Sequence, residues 1–191
     1  MRGFLAIELS NEAKDYVYSK QEELLRLGIK GKCTRQDNFH LTVKFLGELT
    51  DTEADQVDKL TWRIASGQNA FNLETAVFGA FQKGSRSVLW LGVKHEPELF
   101  QLYNRVNEAA GRFAKQPEKD GYFPHITLIR EASGCVPTLM QTTAGSLSFN
   151  AGGLSFMESK REDGKLIYAR RTFAPFQASP QALSAMSEHK V

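Results

Sequence analysis

Two stretches of this chain carry one pattern: Phe39-His40-Leu41-Thr42-Val43 and Pro124-His125-Ile126-Thr127-Leu128, 85 residues apart. Each alternates polar and aliphatic residues. Because successive side chains of a β-strand point to opposite faces, each run predicts a half-buried strand that projects an imidazole and a hydroxyl in one direction. Leu41, Val43, Ile126 and Leu128 then lie behind, in the core. Strict alternation carried onward from Val43 puts Phe45 on the apolar face and Lys44 on the face of His40 and Thr42, where it adds a charge or snorkels out. Two such strands, each embedded in helix-strand units, predict two related halves. If the halves face each other across a cleft, two His and two Thr meet one ligand.

The remaining pattern fits a mixed fold. Phe4 to Leu9 reads as a strand, and Ser10 caps a helix that buries Ala13, Val17, Leu24 and Leu27 and stops at Gly28, with Gly28 to Lys32 read as a turn. Thr50 and Glu53 have capping-box spacing ahead of a second helix through Val57, Leu60 and Ile64. Phe71 to Val77 and Val88 to Val93 read as paired strands, and Pro97 opens a third helix through Phe113. Leu147 to Phe149 and Leu154 to Met157 are strand pieces, and Asp163-Gly164 marks a hairpin into Leu166 to Arg171. At 191 residues, 41% of them hydrophobic, this is one bilobal α+β domain over residues 1–175, with 176–191 expected as a loose tail.

The paired His and Thr suit a phosphoryl group. One imidazole takes a proton from the attacking oxygen while the other donates to the leaving oxygen, and the hydroxyls hold non-bridging oxygens. A lone strand His is more often a hydrogen-bonded structural residue, but two that share a Thr at i+2 point to chemistry. A zinc site is disfavoured because the motifs offer only His and Thr, so neither metal nor cofactor is expected. His95 and His189 are expected to be solvent-exposed, and Trp90, Phe78 and Phe81 to be core. Lys160, Arg161, Lys165, Arg170 and Arg171, interrupted by acids, read as a solvated hairpin rather than an RNA track.

The formal net charge of +2 is too small for binding nucleic acid through bulk electrostatics. Cys33 and Cys135 lack metal or redox spacing and read as free thiols. With no apolar run long enough for a signal peptide or a membrane span, the expectation is a cytoplasmic monomer with no membrane partner.

The Phe-His-Leu-Thr-x-x-Phe-Leu-Gly run at Phe39 to Gly47, Val88-x-Trp90-Leu91-Gly92, and Pro124-His125-Ile126-Thr127-Leu128-x-Arg130 together resemble the bacterial and archaeal RNA 2′,3′-cyclic phosphodiesterases. These are also called 2′-5′ RNA ligases and belong to the two-histidine (2H) phosphoesterases. The resemblance spans roughly Arg2 to Thr172. It implies a two-lobed, pseudo-symmetric fold with antiparallel sheets lining a central cleft and helices outside. It also implies metal-independent opening of the 2′,3′-cyclic phosphate of an RNA end to a 2′-phosphate, with 2′-5′ ligation as a reverse activity. On that pattern His40 is the proton donor, His125 the acceptor, and Thr42, Thr127 and Arg130 hold the phosphate. Strict parity turns Arg130 away from His125, so its role requires a twist or bulge. The rival readings are a non-catalytic RNA-end or nucleotide-binding module and a phosphodiesterase for small cyclic nucleotides.

Overall fold

The computed structural model describes residues 1–114, 121–134 and 144–178. Its elements follow as β1 (Arg2–Glu8), α1 (Asn11–Arg26), β2 (Lys30–Cys33), β3 (His40–Glu48), α2 (Asp51–Ser66), β4 (Phe71–Lys83), β5 (Arg86–Val93), α3 (Pro97–Ala110), β6 (His125–Ser133), β7 (Ser148–Ala151), β8 (Gly153–Glu162) and β9 (Lys165–Pro175). The helix starts follow local chemistry. Ser10 Oγ accepts from the Ala13 amide, Thr50 and Glu53 close a reciprocal capping box, and Pro97 occupies the first turn of α3, where its missing N–H costs nothing. The β8–β9 hairpin turns on Asp163 and Gly164, both at positive φ (49° and 74°), as a two-residue turn between right-twisted strands demands.

The strands form two antiparallel sheets, ordered β3-β1-β8-β9 and β2-β6-β5-β4-β7, with three helices packed on them. This is an α+β fold. The helices interlock the halves: α1 leaves β1 of the first sheet yet packs on β6 of the second, and α3 leaves β5 of the second yet packs on β3 of the first. The two motif strands, β3 and β6, touch one another, one from each sheet. Most of the apolar core forms one cluster, and Leu41, Val43, Ile126 and Leu128 are all buried in it.

Three local expectations need correction. Lys30 to Lys32, expected inside the Gly28 to Lys32 turn, instead form with Cys33 an exposed edge strand on β6, with backbone pairing and not propensity deciding the conformation. A Cβ on Gly31 would lie 2.6 Å from an Ile129 methyl, so the close approach of β2 to β6 requires glycine there. Leu27 is exposed because α1 ends at Arg26, and the helix buries Gln21 instead. Phe176, at the start of the expected tail, is buried and stacked on Phe71, and Gln177 bridges to Asn69, so the packed chain runs past Pro175. Residues 179–191, His189 and Cys135 lie outside the described residues. Cys33 is a free, exposed thiol, and exposed His95 stacks on Phe100 at 4.0 Å.

Candidate active site

The geometry of the site turns on two matching β-bulges. In β3, Ala6 of β1 pairs with Thr42 but Leu5 pairs with Lys44, so Val43 is an extra residue; in β6, Trp90 of β5 pairs with Thr127 but Leu89 pairs with Ile129, so Leu128 is extra. Each bulge falls on the residue after the motif Thr and reverses the facing of the residues that follow, up to the next register shift, which comes after Phe45 in β3 and beyond Ile129 in β6. Paired residues in an antiparallel ladder share a face, so Lys44 goes to the side of fully buried Leu5 and is itself only 4% exposed. Phe45 takes the cleft face instead, beside Phe4 with ring centroids 5.8 Å apart. The expectation that Lys44 accompanies His40 and Thr42, and Phe45 the core, is therefore reversed. In β6 the same device returns Arg130 to the face of His125 and Thr127. Phe45 and Arg130 are the counterparts of one another, each third after its Thr.

The bulges are supported from behind. Gln21 of α1 donates from Nε2 to the Leu128 carbonyl (2.8 Å) and to the Thr34 carbonyl (2.9 Å), and the Thr34 amide also donates to Leu128. On the other strand, Tyr122 donates its hydroxyl to the Thr42 carbonyl at 3.2 Å. Sequence patterning offers no signal for this role of Gln21, since a single polar residue at an inward helix position reads as an imperfection of the apolar stripe.

The imidazoles are held in one way. His40 Nδ1 lies 2.7 Å from the carbonyl oxygen of Asn38, and His125 Nδ1 lies 2.7 Å from that of Phe123, in both cases two residues upstream. A carbonyl only accepts, so each Nδ1 is the protonated donor and each Nε2 is left for the cleft. Thr42 Oγ1 sits 3.0 Å from His40 Nε2. His40 is wedged between Phe4 (4.8 Å) and Tyr168 (4.9 Å, edge-on), and His125 stands edge-on to Phe81 at 4.9 Å and 6.0 Å from Trp90. Phe78 and Trp90 are buried as expected, but Phe81 and Phe123 are 39% and 52% exposed and form the open rim beside His125.

Burial dominates the electrostatics. It drives His40 down from the ordinary imidazole range to about 4, against the Asn38 carbonyl, which raises it; the charges on Arg130 and His125 lower it further, and Glu8 raises it. His125 is lowered too, by burial first and then by Arg130, with the Phe123 carbonyl opposing. The guanidinium of Arg130 thus acts on both imidazoles, and it has no ion-pair partner among the described residues. Glu8, across the ladder from His40, is held by Arg170 through two bonds of 2.7 and 2.6 Å and by the Ser155 hydroxyl. Burial opposes that effect, yet these bonds keep its carboxyl below the usual range. Of the basic hairpin residues, Arg171 pairs with Asp55 and Asp58 of α2 and Lys160 with Glu162. Among the described residues no three His, Cys, Asp or Glu gather as metal ligands.

Residues 7–90 match the family model described as LigT like Phosphoesterase. The chain is 33% identical over 132 residues to an RNA 2′,3′-cyclic phosphodiesterase of Thermotoga maritima, covering 68% of this chain and 70% of that one. It is 35% identical over 107 residues to the enzyme of the same name from Escherichia coli, covering 56% and 58%. The crystal structure of E. coli LigT complexed with 3′-AMP superposes with a TM-score of 0.76 at 29% identity, covering 92% of this chain and 97% of that one.

Proposed function

Because the chain belongs to the LigT-like phosphoesterases and is an RNA 2′,3′-cyclic phosphodiesterase, we propose that its cleft opens the cyclic phosphate by acid–base catalysis between His40 and His125. The reading rests above all on one observation: both Nδ1–H groups are fixed on backbone carbonyls, leaving both Nε2 atoms for proton transfer. His125 Nε2 takes a proton from water as the water oxygen attacks phosphorus. The bond from phosphorus to O3′ breaks, and His40 Nε2 delivers its proton to O3′, leaving a 2′-phosphate. Thr42, Thr127 and Arg130 hold the non-bridging oxygens, the hydroxyls as donors and the guanidinium as counter-charge. When an RNA 5′-hydroxyl takes the place of water, His125 Nε2 takes its proton as its oxygen bonds to phosphorus, the bond from phosphorus to O3′ breaks with a proton from His40, and a 2′-5′ phosphodiester results.

The low affinity of His40 for a proton in the free protein is corrected by the substrate. An anionic cyclic phosphate set against Nε2 favours the charged imidazole and raises it toward the working range. Acid function is thereby acquired on binding.

On this proposal the chain acts on RNA ends as a cytoplasmic monomer; among the described residues no helix is long and apolar enough to cross a membrane. The test is incubation with adenosine 2′,3′-cyclic phosphate in EDTA and identification of the product isomer. A 2′-phosphate is expected; a 3′-phosphate reverses the two histidine roles, and binding without turnover returns the chain to the binding-module reading.

A further inference from the structure

We propose that a groove running from His40 along the outer end of the first sheet is the track for the RNA strand upstream of the terminal cyclic phosphate, a proposal that rests on the function above. The groove encloses about 530 Å³ and is lined by Phe4, Phe45, Tyr168, Arg130, Arg2 and Arg161 among others. That volume lies within the range of about 300 to 1,000 Å³ usual for organic ligands and far exceeds what one phosphate fills. It borders the catalytic end: His40 does not line it, but Phe4 and Tyr168, the two rings against His40, and Arg130 do.

The lining has the two components that single strands need, cations for the backbone and exposed rings for bases. Arg2, Arg130, Lys160 and Arg161 are set against two carboxylates, Glu48 and Glu158. Lys160 is engaged by Glu162 at 2.6 Å, but Arg2, Arg130 and Arg161 have no ion pair among the described residues. Among the described residues Arg161 donates only to the Gly164 carbonyl, at 3.0 Å, a contact a phosphate oxygen can replace. Phe45, 53% exposed, supplies a free ring face between the cations and the imidazole. Its exposure has no other account: the β3 bulge turns a phenyl out of the core that strict alternation would have buried.

Position agrees with chemistry. In the proposed reaction His40 serves O3′, so the terminal ribose stands on the His40 side, and its 5′ substituent leaves toward Arg2 and Arg161 and not toward His125. A mononucleotide reaches only Arg130; an oligonucleotide reaches the remaining cations.

The experiment compares adenosine 2′,3′-cyclic phosphate with a short single-stranded RNA ending in the same group, using the wild-type chain and an Arg2→Ala/Arg161→Ala double variant. Both positions are exposed, so the fold is expected to survive, and circular dichroism checks it. In the wild type, kcat/KM for the RNA is expected to exceed that for the mononucleotide by about tenfold at low salt, and its logarithm to fall by roughly 0.7 per phosphate neutralised for each tenfold rise in salt. The double variant is expected to lose that advantage and flatten the salt slope while hydrolysing the mononucleotide as before. Equal kcat/KM for the two substrates in the wild type overturns the track, as does a double variant that keeps the RNA advantage or loses both activities together. Failure of the wild type on both substrates instead overturns the function on which the track depends.

Discussion

Acidification tests the burial of His40 through stability, without any substrate. In the unfolded chain an imidazole takes up its proton near pH 6.5, whereas folded His40 resists protonation down to about 4. Between those limits the unfolded state binds more protons, so stability is full above about pH 6.5, declines as the pH falls through the window, and stops declining below the folded value. From about pH 6.5 to pH 5 this difference removes roughly 1.5 kcal/mol, a sizeable part of the 5 to 15 kcal/mol of a typical domain. The window is chosen above the carboxylate range, because Glu8 and Glu131 are also lowered and lose their contribution only at more acid pH. His125, lowered for the same first reason, adds to the loss. The assay is urea unfolding followed by circular dichroism at several pH values, on the wild type and a His40→Gln variant that keeps a polar side chain near the Asn38 carbonyl. The variant's stability should change less across the window, by about 1.5 kcal/mol. Parallel pH dependences in the two proteins would refute the assignment of a buried, neutral His40.

The same shifts set the pH–rate profile: with both imidazoles lowered in the free protein, kcat/KM should be bell-shaped with its maximum on the acid side of about pH 6.5, while bound phosphate moves the alkaline limb of kcat upward. A kcat profile that superposes on that of kcat/KM speaks against substrate-induced protonation. His40→Ala or His125→Ala should lower kcat by about 10² or more with little loss of nucleotide affinity, and the double variant should be little worse than the poorer single one. Thr42→Ala and Thr127→Ala, each removing a bond of about 1.5 to 3 kcal/mol to a charged acceptor, should weaken product binding in calorimetry as well as turnover. Gly79→Ala should be destabilising by about 1 to 3 kcal/mol in thermal or urea unfolding. Its new Cβ would fall 1.9 Å from the Trp90 ring, and displacing that ring should also lower turnover through His125, 6.0 Å away.

Much of the site was legible because it is written in local chemistry. The shared His-x-Thr alternation named His40, Thr42, His125 and Thr127, and the caps at Ser10, Thr50 and Pro97 and the turn at Asp163-Gly164 act within a few residues of themselves. What could not be read locally was facing beyond each Thr. Alternation assumes an unbroken ladder, but a bulge is a relation between two strands, and residues 43 and 128 became extra only when β1 and β5 fixed their registers. That relation decided that Lys44 leaves the cleft, Phe45 enters it and Arg130 faces the imidazoles. Likewise, nothing in α1 announces that it crosses to the opposite sheet, where Gln21 supports the Leu128 carbonyl. The sequence alone determined which groups form the candidate site, since residue type and period-two spacing are properties of one strand; tertiary pairing decided where the charges and rings around them point, since register belongs to two strands at once.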